Sequence, residues 1–451
     1  MKMVFNPSDK PKFGANLVFA IQQLLAIMAA TLVVPIIIGN DMSPAAALFG
    51  AGIGTLVYLL FTKFRSPVFL GSSFAFLGSM AAAFAGGVSM SLGYVGLILG
   101  AAFAGLVYVV IAIIVKFAGV NWINKLMPAV VIGPTVAIIG LSLAGNAIGD
   151  LQKGGLKVEG VPVAHTLIAV LVGLVTLIVT VICSTYGKKM VKLIPFIIGI
   201  LAGYAVGAIF TVIGNVAGVD ALKVIDFSPI SALWADGVTW KTFFTLPEFT
   251  FVTAFKGIGE INGAYISSIA VAYIPVAFVV FAEHIADHKN ISSIIEKDLL
   301  EEPGLHRTLL GDGVGSMVGA IFGGCPNTTY GESVACVAIS GNASTMTILT
   351  TAILAVLISF LAPFVAFVNS IPSCVMGGVC IALYGFIAVS GLKMIQKVNL
   401  EENRNLFVVS TILICGIGGL SLTFGKVTLT SIACALILGI LVNLILNKKE
   451  Q

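Results

Sequence analysis

The chain has 451 residues, of which 58% are hydrophobic and only 10% are charged. Soluble folds have about 25% charged residues, so this composition excludes a water-soluble protein and indicates an integral membrane protein. The net charge is only +4, and no basic patch could neutralise nucleic-acid phosphates, which excludes a nucleic-acid-binding protein. The seven cysteines form no CxxC pair, a pattern typical of small buried side chains.

The N-terminal segment is followed by an apolar run. Residues 1–13 carry Lys2, Lys10 and Lys12, and the run has the length of a bilayer crossing, roughly 20 residues. This pattern predicts a first transmembrane helix and no cleavable signal peptide. Further apolar stretches predict an all-α protein that crosses the membrane fourteen times, at residues 15–39, 44–62, 68–86, 92–116, 128–147, 165–184, 191–214, 264–288, 306–323, 328–340, 345–369, 371–390, 404–421 and 427–447.

The distribution of basic residues indicates the orientation of these crossings. With the N-terminus in the cytoplasm, eighteen of the 24 Lys and Arg residues fall on the cytoplasmic side and six fall outside. Cytoplasmic loops of membrane proteins carry an excess of Lys and Arg. The sequence therefore predicts an even number of crossings in the cell membrane, with both termini in the cytoplasm.

A long interruption at about residues 215–263 divides the predicted crossings into two sets of seven. Because seven is an odd number, the second set must enter the membrane in the opposite orientation, which indicates an inverted repeat. The interruption lies on the predicted outer side and contains Trp234 and Trp240 among Phe residues. These tryptophans are predicted to contact the membrane interface and not a ligand.

The third and tenth predicted crossings begin with polar and small residues instead of Leu and Ile. Pro67 precedes residues 72–76, and Pro326 precedes residues 328–332. Because proline disfavours helix at the residue before it, each segment is predicted to be a short extended stretch that leads into a half-helix. Two such stretches could pair as a ribbon, and the free N–H groups of the half-helices could bind ligand oxygens. Two ordinary proline-kinked helices are the alternative.

Three carboxyl groups lie within predicted crossings, two in the eighth and one in the tenth. Glu283 ends the apolar run 269–282, Asp287 follows about 40° away on the same helical face, and Glu332 begins the second half-helix. Ionisable groups within a membrane are costly and functional by default. Such a group can gain and lose a proton during transport, and it suits a planar, uncharged ligand with alternating N–H and C=O groups. The alternative is that these carboxyl groups only link neighbouring helices and contact no ligand.

Two of the four histidines, His284 and His288, lie one helical turn apart. Their order with the neighbouring acids differs from HExxH, and catalytic zinc would need a third ligand, so a metal site is disfavoured. A membrane enzyme using His284, Asp287 and His288 is also disfavoured, because no matched nucleophile is present. For Asp312, which lies between two glycines, a functional and a structural role stay equally open.

Four motifs occur in the same order and with similar spacing as in one family of transporters. They are Leu70-Gly71-Ser72-Ser73-Phe74-Ala75-Phe76, Ala282-Glu283-His284-Ile285, Glu302-Pro303-Gly304-Leu305-His306-Arg307 and Pro326-Asn327-Thr328-Thr329-Tyr330-Gly331-Glu332. With these motifs the sequence resembles the nucleobase–ascorbate transporter family, also called nucleobase:cation symporter-2, along nearly its whole length. The likeness is strongest to the bacterial uracil permeases of that family.

This resemblance implies a fold and a mode of transport. It implies fourteen crossings in two inverted repeats of seven, with short strands in the third and tenth segments. It further implies proton-coupled uptake, with the proton as coupling ion and no other cofactor. A core domain, residues 1–126 and 264–370, would move against a gate domain, residues 127–263 and 371–451, often in a homodimer.

The resemblance also implies which residues hold the base. The carboxylates of Glu283 and Glu332 would form hydrogen bonds with it, and the backbone amides of Phe74 and Gly331 would contact its carbonyl groups. Ala30, on the first helix, would pack against the ring. No catalytic residue and no metal ligand is expected.

Three positions depart from the family pattern. Asp287 stands where uracil members often carry His, as in many purine members, and the Gln-His pair of the first helix is Gln22-Gln23. After Glu332 the sequence continues as Ser333-Val334-Ala335, in place of Asn, any residue and Gly. These departures leave open which base is carried. They also leave open which of the three carboxyl groups, on Glu283, Asp287 or Glu332, relays the proton.

Uracil is the predicted substrate, because Glu283-His284 and residues 330–332 favour it. Xanthine or urate is the alternative within the family. An anion transporter on the same seven-plus-seven plan is a further alternative, but its site should offer cations and avoid carboxylates. The expected partners are the nucleobase, the lipid bilayer and a second copy of the chain, without nucleic acid.

Overall fold

The computed structural model describes residues 3–119, 122, 128–188, 190–424 and 427–447. Most of the chain is helical. Up to residue 262 the elements are α1 (Phe13–Ile38), α2 (Pro44–Phe61), β1 (Leu70–Ser72), α3 (Leu77–Ala83), α4 (Met90–Ala118), α5 (Ala129–Ser142), α6 (Ala144–Leu151), β2 (Lys157–Val158), β3 (Val161–Pro162), α7 (Thr166–Tyr186), α8 (Met190–Leu193), α9 (Pro195–Ala217), α10 (Ser228–Ser231) and α11 (Thr250–Gly257).

The second half repeats this mixture of long helices and short strands. Its elements are α12 (Gly263–Ile295), α13 (Leu305–Gly323), β4 (Asn327–Thr329), α14 (Gly331–Ser340), α15 (Thr345–Ile358), α16 (Ala362–Ser370), α17 (Ser373–Ile395), α18 (Asn403–Ile417), β5 (Leu422–Phe424), β6 (Val427–Leu429) and α19 (Ser431–Asn447). Single turns of 3₁₀ or π helix lie at Phe74–Phe76, Asp220–Leu222, Ala232–Trp234, Trp240–Thr242, Ile258–Glu260 and Leu300–Gly304.

Eight helices in the described part of the chain are long and apolar enough to cross a membrane, and five further apolar helical stretches are shorter. Many large apolar side chains on these helices are exposed, among them Phe117, Leu167 and Val216. In water such exposure would be unfavourable, whereas lipid contact accommodates it. The helices therefore have the lengths and the surfaces of membrane-spanning segments.

Local sequence signals set several helix boundaries. Ser43 precedes α2 and its Oγ accepts a hydrogen bond from the backbone N–H of Ala46 at 3.2 Å. Asn262 begins α12 in the same way, with its Oδ1 accepting from the N–H of Tyr265 at 2.9 Å. Such caps satisfy N–H groups that have no partner within the helix. At the C-terminal end of α1, Gly39 has a positive φ of 66° and ends the helix.

The predicted eleventh crossing over residues 345–369 is not one helix. It breaks between α15 and α16, because the backbone there pairs with the segment around residues 243–245 instead of continuing the helix. The N–H of Thr245 donates to the carbonyl of Phe360, and the N–H of Ala362 donates to the carbonyl of Phe243, both at 2.9 Å. Apolar composition alone gave no sign of this pairing.

The long helices fall into two groups by their contacts. In the first, α2 packs on α13, and α4 packs on α12 and α13; in the second, α5 packs on α17 and α18, and α7 packs on α9. Glycine allows close approach in both, since a Cβ at Gly50 would overlap the backbone of Gly319, and one at Gly140 would overlap that of Tyr384. The predicted domain boundary at residues 126 and 127 lies outside the described residues.

Strands β1 and β4 form a short antiparallel ribbon within the first group. Gly71 pairs with Thr328, flanked by Leu70 with Thr329 and Ser72 with Asn327. Each strand leads into a short helical segment, which is Phe74–Ala83 after β1 and α14 after β4. The ribbon brings the starts of these two segments next to each other.

Candidate functional site

A cavity of about 370 Å³ lies between the two helix groups. This volume falls within the range of small-molecule sites. Its lining from the first group comprises Ala26, Ser73, Phe74, Glu283, Ala286, Asp287, Thr328, Tyr330, Gly331, Glu332, Ala335, Cys336 and Ile339. Its lining from the second group comprises Val136, Ser184, Lys192, Pro195, Phe196, Phe386, Ile387, Ser390 and Met394.

Three carboxyl groups face this cavity, and their surroundings differ. The Asp287 carboxylate accepts a hydrogen bond from the hydroxyl of Thr329 at 2.9 Å. The Glu332 carboxylate lies in the first turn of α14, where the free N–H groups of the helix start stabilise an anion. Within the described residues, the Glu283 carboxylate has no hydrogen-bond partner. Glu283 is therefore the carboxylate most available to a ligand.

The two helix starts at the ribbon supply backbone donors to the same cavity. Ser73 uses its N–H to bond the carbonyl of Pro326 at 2.9 Å, and Tyr330 uses its N–H to bond the carbonyl of Phe69 at 3.2 Å. Phe74 and Gly331 follow these two residues and begin helical segments. The first N–H groups of a helix have no partner within it. The amides of Phe74 and Gly331 are thus placed to bind oxygen atoms of a ligand.

Side chains from three elements hold the ribbon in place. The hydroxyl of Tyr330 donates to the carbonyl of Ser72 at 2.8 Å. The Oγ of Ser333 accepts from the N–H of Phe69 at 3.0 Å and from Nε2 of Gln23 at 2.5 Å. These buried bonds join α1 and α14 to the ribbon, so hydrogen bonds of the Gln23, Tyr330 and Ser333 side chains fix the geometry of the cavity wall.

Gly71→Ala is expected to destabilise the ribbon strongly. A Cβ at Gly71 would overlap the Tyr330 ring, which is buried and held by its own hydrogen bond. Overpacking of this kind costs about 1–3 kcal/mol or more, so the purified variant should melt at a lower temperature and lose transport. Gly78→Ala, where the nearest atom is 3.8 Å away, is the matched control. Equal melting temperatures for the two variants would contradict this account.

The two histidines of α12 point away from the cavity. His284 Nδ1 lies 2.7 Å from Asp312 Oδ2, and His288 Nε2 lies 2.8 Å from the hydroxyl of Tyr58. Both imidazoles are fully buried. Within the described residues, no group of three or more His, Cys, Asp or Glu side chains is placed to hold a metal ion. The polar partners of these histidines are side chains of neighbouring helices, which ties α12 to them.

The structure brings five of the six predicted site residues to one cavity. Glu283, Asp287, Glu332, Phe74 and Gly331 all line it. Ala30 does not: it is buried in the hydrophobic core, and Ala26, one turn earlier on α1, lines the cavity instead. A small residue at either position satisfies the same sequence pattern, and the two lie on nearly the same face of α1, so the choice between them depended on the position of α1 along its axis.

Sequence reasoning missed the whole lining from the second helix group. Lys192, Ser184 and Ser390 are its polar members, and Phe386 and Phe196 its largest apolar ones. These residues come from segments far apart in the chain and share no motif. Lys192 could have been identified, because it is a charged residue between two apolar segments. The comparison of basic residues on the two sides of the membrane included it only as a cation in a cytoplasmic loop.

Comparison with known proteins places the chain in a family. The model of the permease family matches residues 14–424. The chain belongs to this family. The permease is 37% identical to the uracil permease of Bacillus caldolyticus, over 100% of the chain and 96% of the relative. It is also 37% identical to the uracil permease of Bacillus subtilis (strain 168), over 96% of the chain and 93% of the relative.

These matches confirm the resemblance to the nucleobase–ascorbate transporter family and its uracil permeases. With the apolar helices of the fold, they also establish that the permease is a multi-pass membrane transporter. Among solved structures, the permease is similar to the transmembrane domain of a cyanobacterial bicarbonate transporter, BicA. The TM-score is 0.61 at 15% identity, over 97% of the chain and 98% of that domain. At this identity the likeness concerns the fold alone.

Proposed function

We propose that the permease takes up a nucleobase together with a proton, with uracil as the first candidate. The observation that carries this proposal is the convergence of three carboxyl groups and two freed backbone amides on one cavity. The uracil permeases to which the chain is similar support the substrate class. Coupling to a proton needs only groups that the cavity already has, and no cofactor beyond the proton is proposed.

The chemistry of the cavity suits a flat heterocycle. The carboxylates of Glu283 and Glu332 would accept hydrogen bonds from ring N–H groups, and the amides of Phe74 and Gly331 would donate to ring carbonyl groups. Phe74 and Tyr330 add aromatic surface on the same side. A nucleobase such as uracil has N–H and C=O groups alternating around its edge. Such a ligand would satisfy both kinds of protein group at once.

The proton is proposed to bind one of the three carboxyl groups. Asp287 already accepts a bond from Thr329, and Glu332 lies in the first turn of α14, where the helix start stabilises an anion. Glu283 has no partner within the described residues, so protonation there would break no hydrogen bond. Glu283 is therefore the first candidate for the proton carrier, with Glu332 and Asp287 as the alternatives that mutants can test.

Transport is proposed to proceed by movement of a core against a gate. The cavity lies between the two helix groups, so sliding one group past the other would change the side from which it opens. Fourteen crossings in two inverted repeats, cytoplasmic termini and a homodimer belong to this proposal. Lys192 and Met394 line the cavity near segments that the basic residues assign to the cytoplasm. The cavity is thus proposed to open inwards.

An anion transporter is the second candidate, because BicA shares the fold. Such a site should place cations opposite the helix starts. Here three carboxylates and one lysine, Lys192, line the cavity within the described residues. The excess of negative charge disfavours an anion, so this candidate is ranked below a nucleobase.

Competition for uptake tests the substrate. Cells that express the permease should accumulate radiolabelled uracil, and excess unlabelled uracil should abolish that uptake. Xanthine, urate and bicarbonate in the same assay cover the alternatives. If excess uracil leaves the uptake of every labelled base unchanged, uracil is not the substrate. Loss of uptake on dissipating the proton gradient is expected, and unchanged uptake would remove proton coupling from the proposal.

A further inference from the structure

A second, much smaller cavity lies behind the wall of the substrate cavity. Its volume is about 10 Å³. It lies between α4, α12 and α13, beside the first residue of β4, and its polar lining consists of Tyr108, Asp312, Ser316 and Asn327. Neither the proposed substrate contacts nor the proposed proton carriers use this cavity.

Three buried oxygen atoms in this region have no partner: two belong to Tyr108 and Asp312, which line the small cavity, and the third belongs to Thr328, which follows Asn327 of that lining and itself lines the substrate cavity. Asp312 Oδ1, the hydroxyl of Tyr108 and Thr328 Oγ1 have no hydrogen bond to any described residue. Asp312 is 1% exposed, Tyr108 4% and Thr328 2%. The Thr328 side chain interacts with both Asp312 and Tyr108, but not in hydrogen-bond geometry. The small cavity therefore has two of these oxygens in its lining and the third beside it, so that one small polar molecule in it is close to all of them.

Buried polar atoms are nearly always paired in folded proteins, often through an ordered water. A cavity needs a volume of roughly 10–15 Å³ and two to four polar partners to hold one water molecule. The small cavity meets both conditions. A polar contact that is too long for a direct hydrogen bond is itself a common sign of a bridging water.

We propose that one water molecule binds here and bridges Asp312 Oδ1, the Tyr108 hydroxyl and Thr328 Oγ1. The water would donate to the carboxylate oxygen and to one hydroxyl and would accept from the other hydroxyl. Asp312 is fixed through its second oxygen, because Oδ2 lies 2.7 Å from His284 Nδ1 and His284 Nε2 lies 3.0 Å from Thr308 Oγ1. The bridge thus joins a rigid set of side chains to Thr328.

The bridge makes Asp312 and Tyr108 positioning residues for the substrate site. Thr328 pairs with Gly71 in the ribbon and lines the substrate cavity. Three residues later, Gly331 presents its amide to that cavity. Loss of the bridge would release the side chain of Thr328, and the ribbon would hold the two helix starts less firmly. Substrate affinity should suffer more than the capacity for transport.

Tyr108→Phe removes one oxygen of the bridge and preserves the ring. Its matched control is Tyr273→Phe, since the hydroxyl of Tyr273 is also buried and unpartnered within the described residues but lines neither cavity. Tyr108→Phe should raise the KM for uracil about fivefold, which corresponds to about 1 kcal/mol, with maximal rate and melting temperature nearly unchanged. Tyr273→Phe should change none of these. Identical KM values for both variants, or a fall in maximal rate alone, would overturn the proposal.

The KM measurement rests on the proposed function. Two further measurements therefore separate the existence of the water bridge from the transport of uracil. A high-resolution map of the wild-type protein should show one solvent oxygen within about 3.2 Å of the three oxygens, and it needs no transported substrate. A map without density at that position overturns the bridge even if uracil is carried. Replacement of sodium by choline should leave uptake unchanged. Uptake that requires sodium, together with density at this position that is lost when sodium is left out, would show a cation there and overturn the water.

Discussion

Glu332→Gln is expected to lower the uptake of labelled uracil at least about tenfold. The side chain keeps its shape but cannot become an anion, and one of its hydrogen-bonding oxygens is replaced by an NH₂ group. A hydrogen bond to a charged group contributes about 1.5–3 kcal/mol, which corresponds to roughly 10–100-fold in affinity. Initial rates of uptake over a range of uracil concentrations measure this loss.

The position of Glu332 explains why the effect should be large. It lies in the first turn of α14, beside the amide of Gly331, so that one turn of backbone presents both a donor and an acceptor to the cavity. An amide side chain would place a donor where the ligand also has a donor. The loss therefore combines a missing attraction with a new mismatch, as happens when a buried polar group is left unpaired.

The pH dependence of the same variant separates binding from proton transfer. Proton-coupled uptake should rise as the external medium becomes more acidic. If Glu332 carries the proton, Glu332→Gln should make uptake independent of pH; if another carboxyl group does so, the slope should persist at a lower rate. Glu301→Gln, at an exposed carboxylate outside the cavity, is the control. Wild-type uptake and a wild-type pH profile in Glu332→Gln would exclude Glu332 from the site.

The interruptions of the third and tenth crossings were the part of the fold that the sequence predicted best. Pro67 and Pro326 precede polar residues in otherwise apolar stretches, and proline restricts the residue before it. That local rule pointed to the places where β1 and β4 lie. Glu283 and Glu332 were readable for a similar reason, because a carboxyl group in an apolar segment is too costly to be accidental.

Features set by tertiary contacts could not be read in this way. The break between α15 and α16 depends on backbone bonds from Phe243 and Thr245, in a segment about a hundred residues earlier. The cavity lining from the second helix group depends on the angle at which the two groups meet. Ala26 and Ala30 differ by one turn of an apolar helix, and the hydrophobic pattern around α1 is too uniform to choose between them.

The comparison with BicA shows how much function the fold leaves open. BicA is a bicarbonate transporter and shares the fold at 15% identity. One fold can carry different functional groups, so substrate class must be argued from the side chains around the cavity. In the permease those side chains include Glu283, Asp287 and Glu332, and this choice of charge is the reason for proposing an uncharged ring with N–H groups.

Glu283→Ala is expected to abolish the binding of uracil while leaving the fold intact. The Glu283 carboxylate has no hydrogen-bond partner within the described residues, so truncation should leave no buried protein group unpaired. Asp287 is less suitable for this test, because its loss would strand the hydroxyl of Thr329. The neighbours of Glu283 on α12, Val279, Val280 and Ala282, are buried and keep the helix in place without it.

Ligand-induced thermal stabilisation of the purified protein measures this binding directly. At about ten times the wild-type Kd, a ligand stabilises the folded state by about 1.4 kcal/mol, and a 100-fold weaker Kd reduces that to about 0.1 kcal/mol. The shift in melting temperature should therefore disappear in Glu283→Ala, while its yield in membranes and its melting temperature without uracil stay close to wild type. Glu260→Ala, at an exposed carboxylate just before α12, should keep the full shift. A full shift in Glu283→Ala would mean that the ligand is held without the Glu283 and Glu332 carboxylates acting together, and the proposed site would then be wrong.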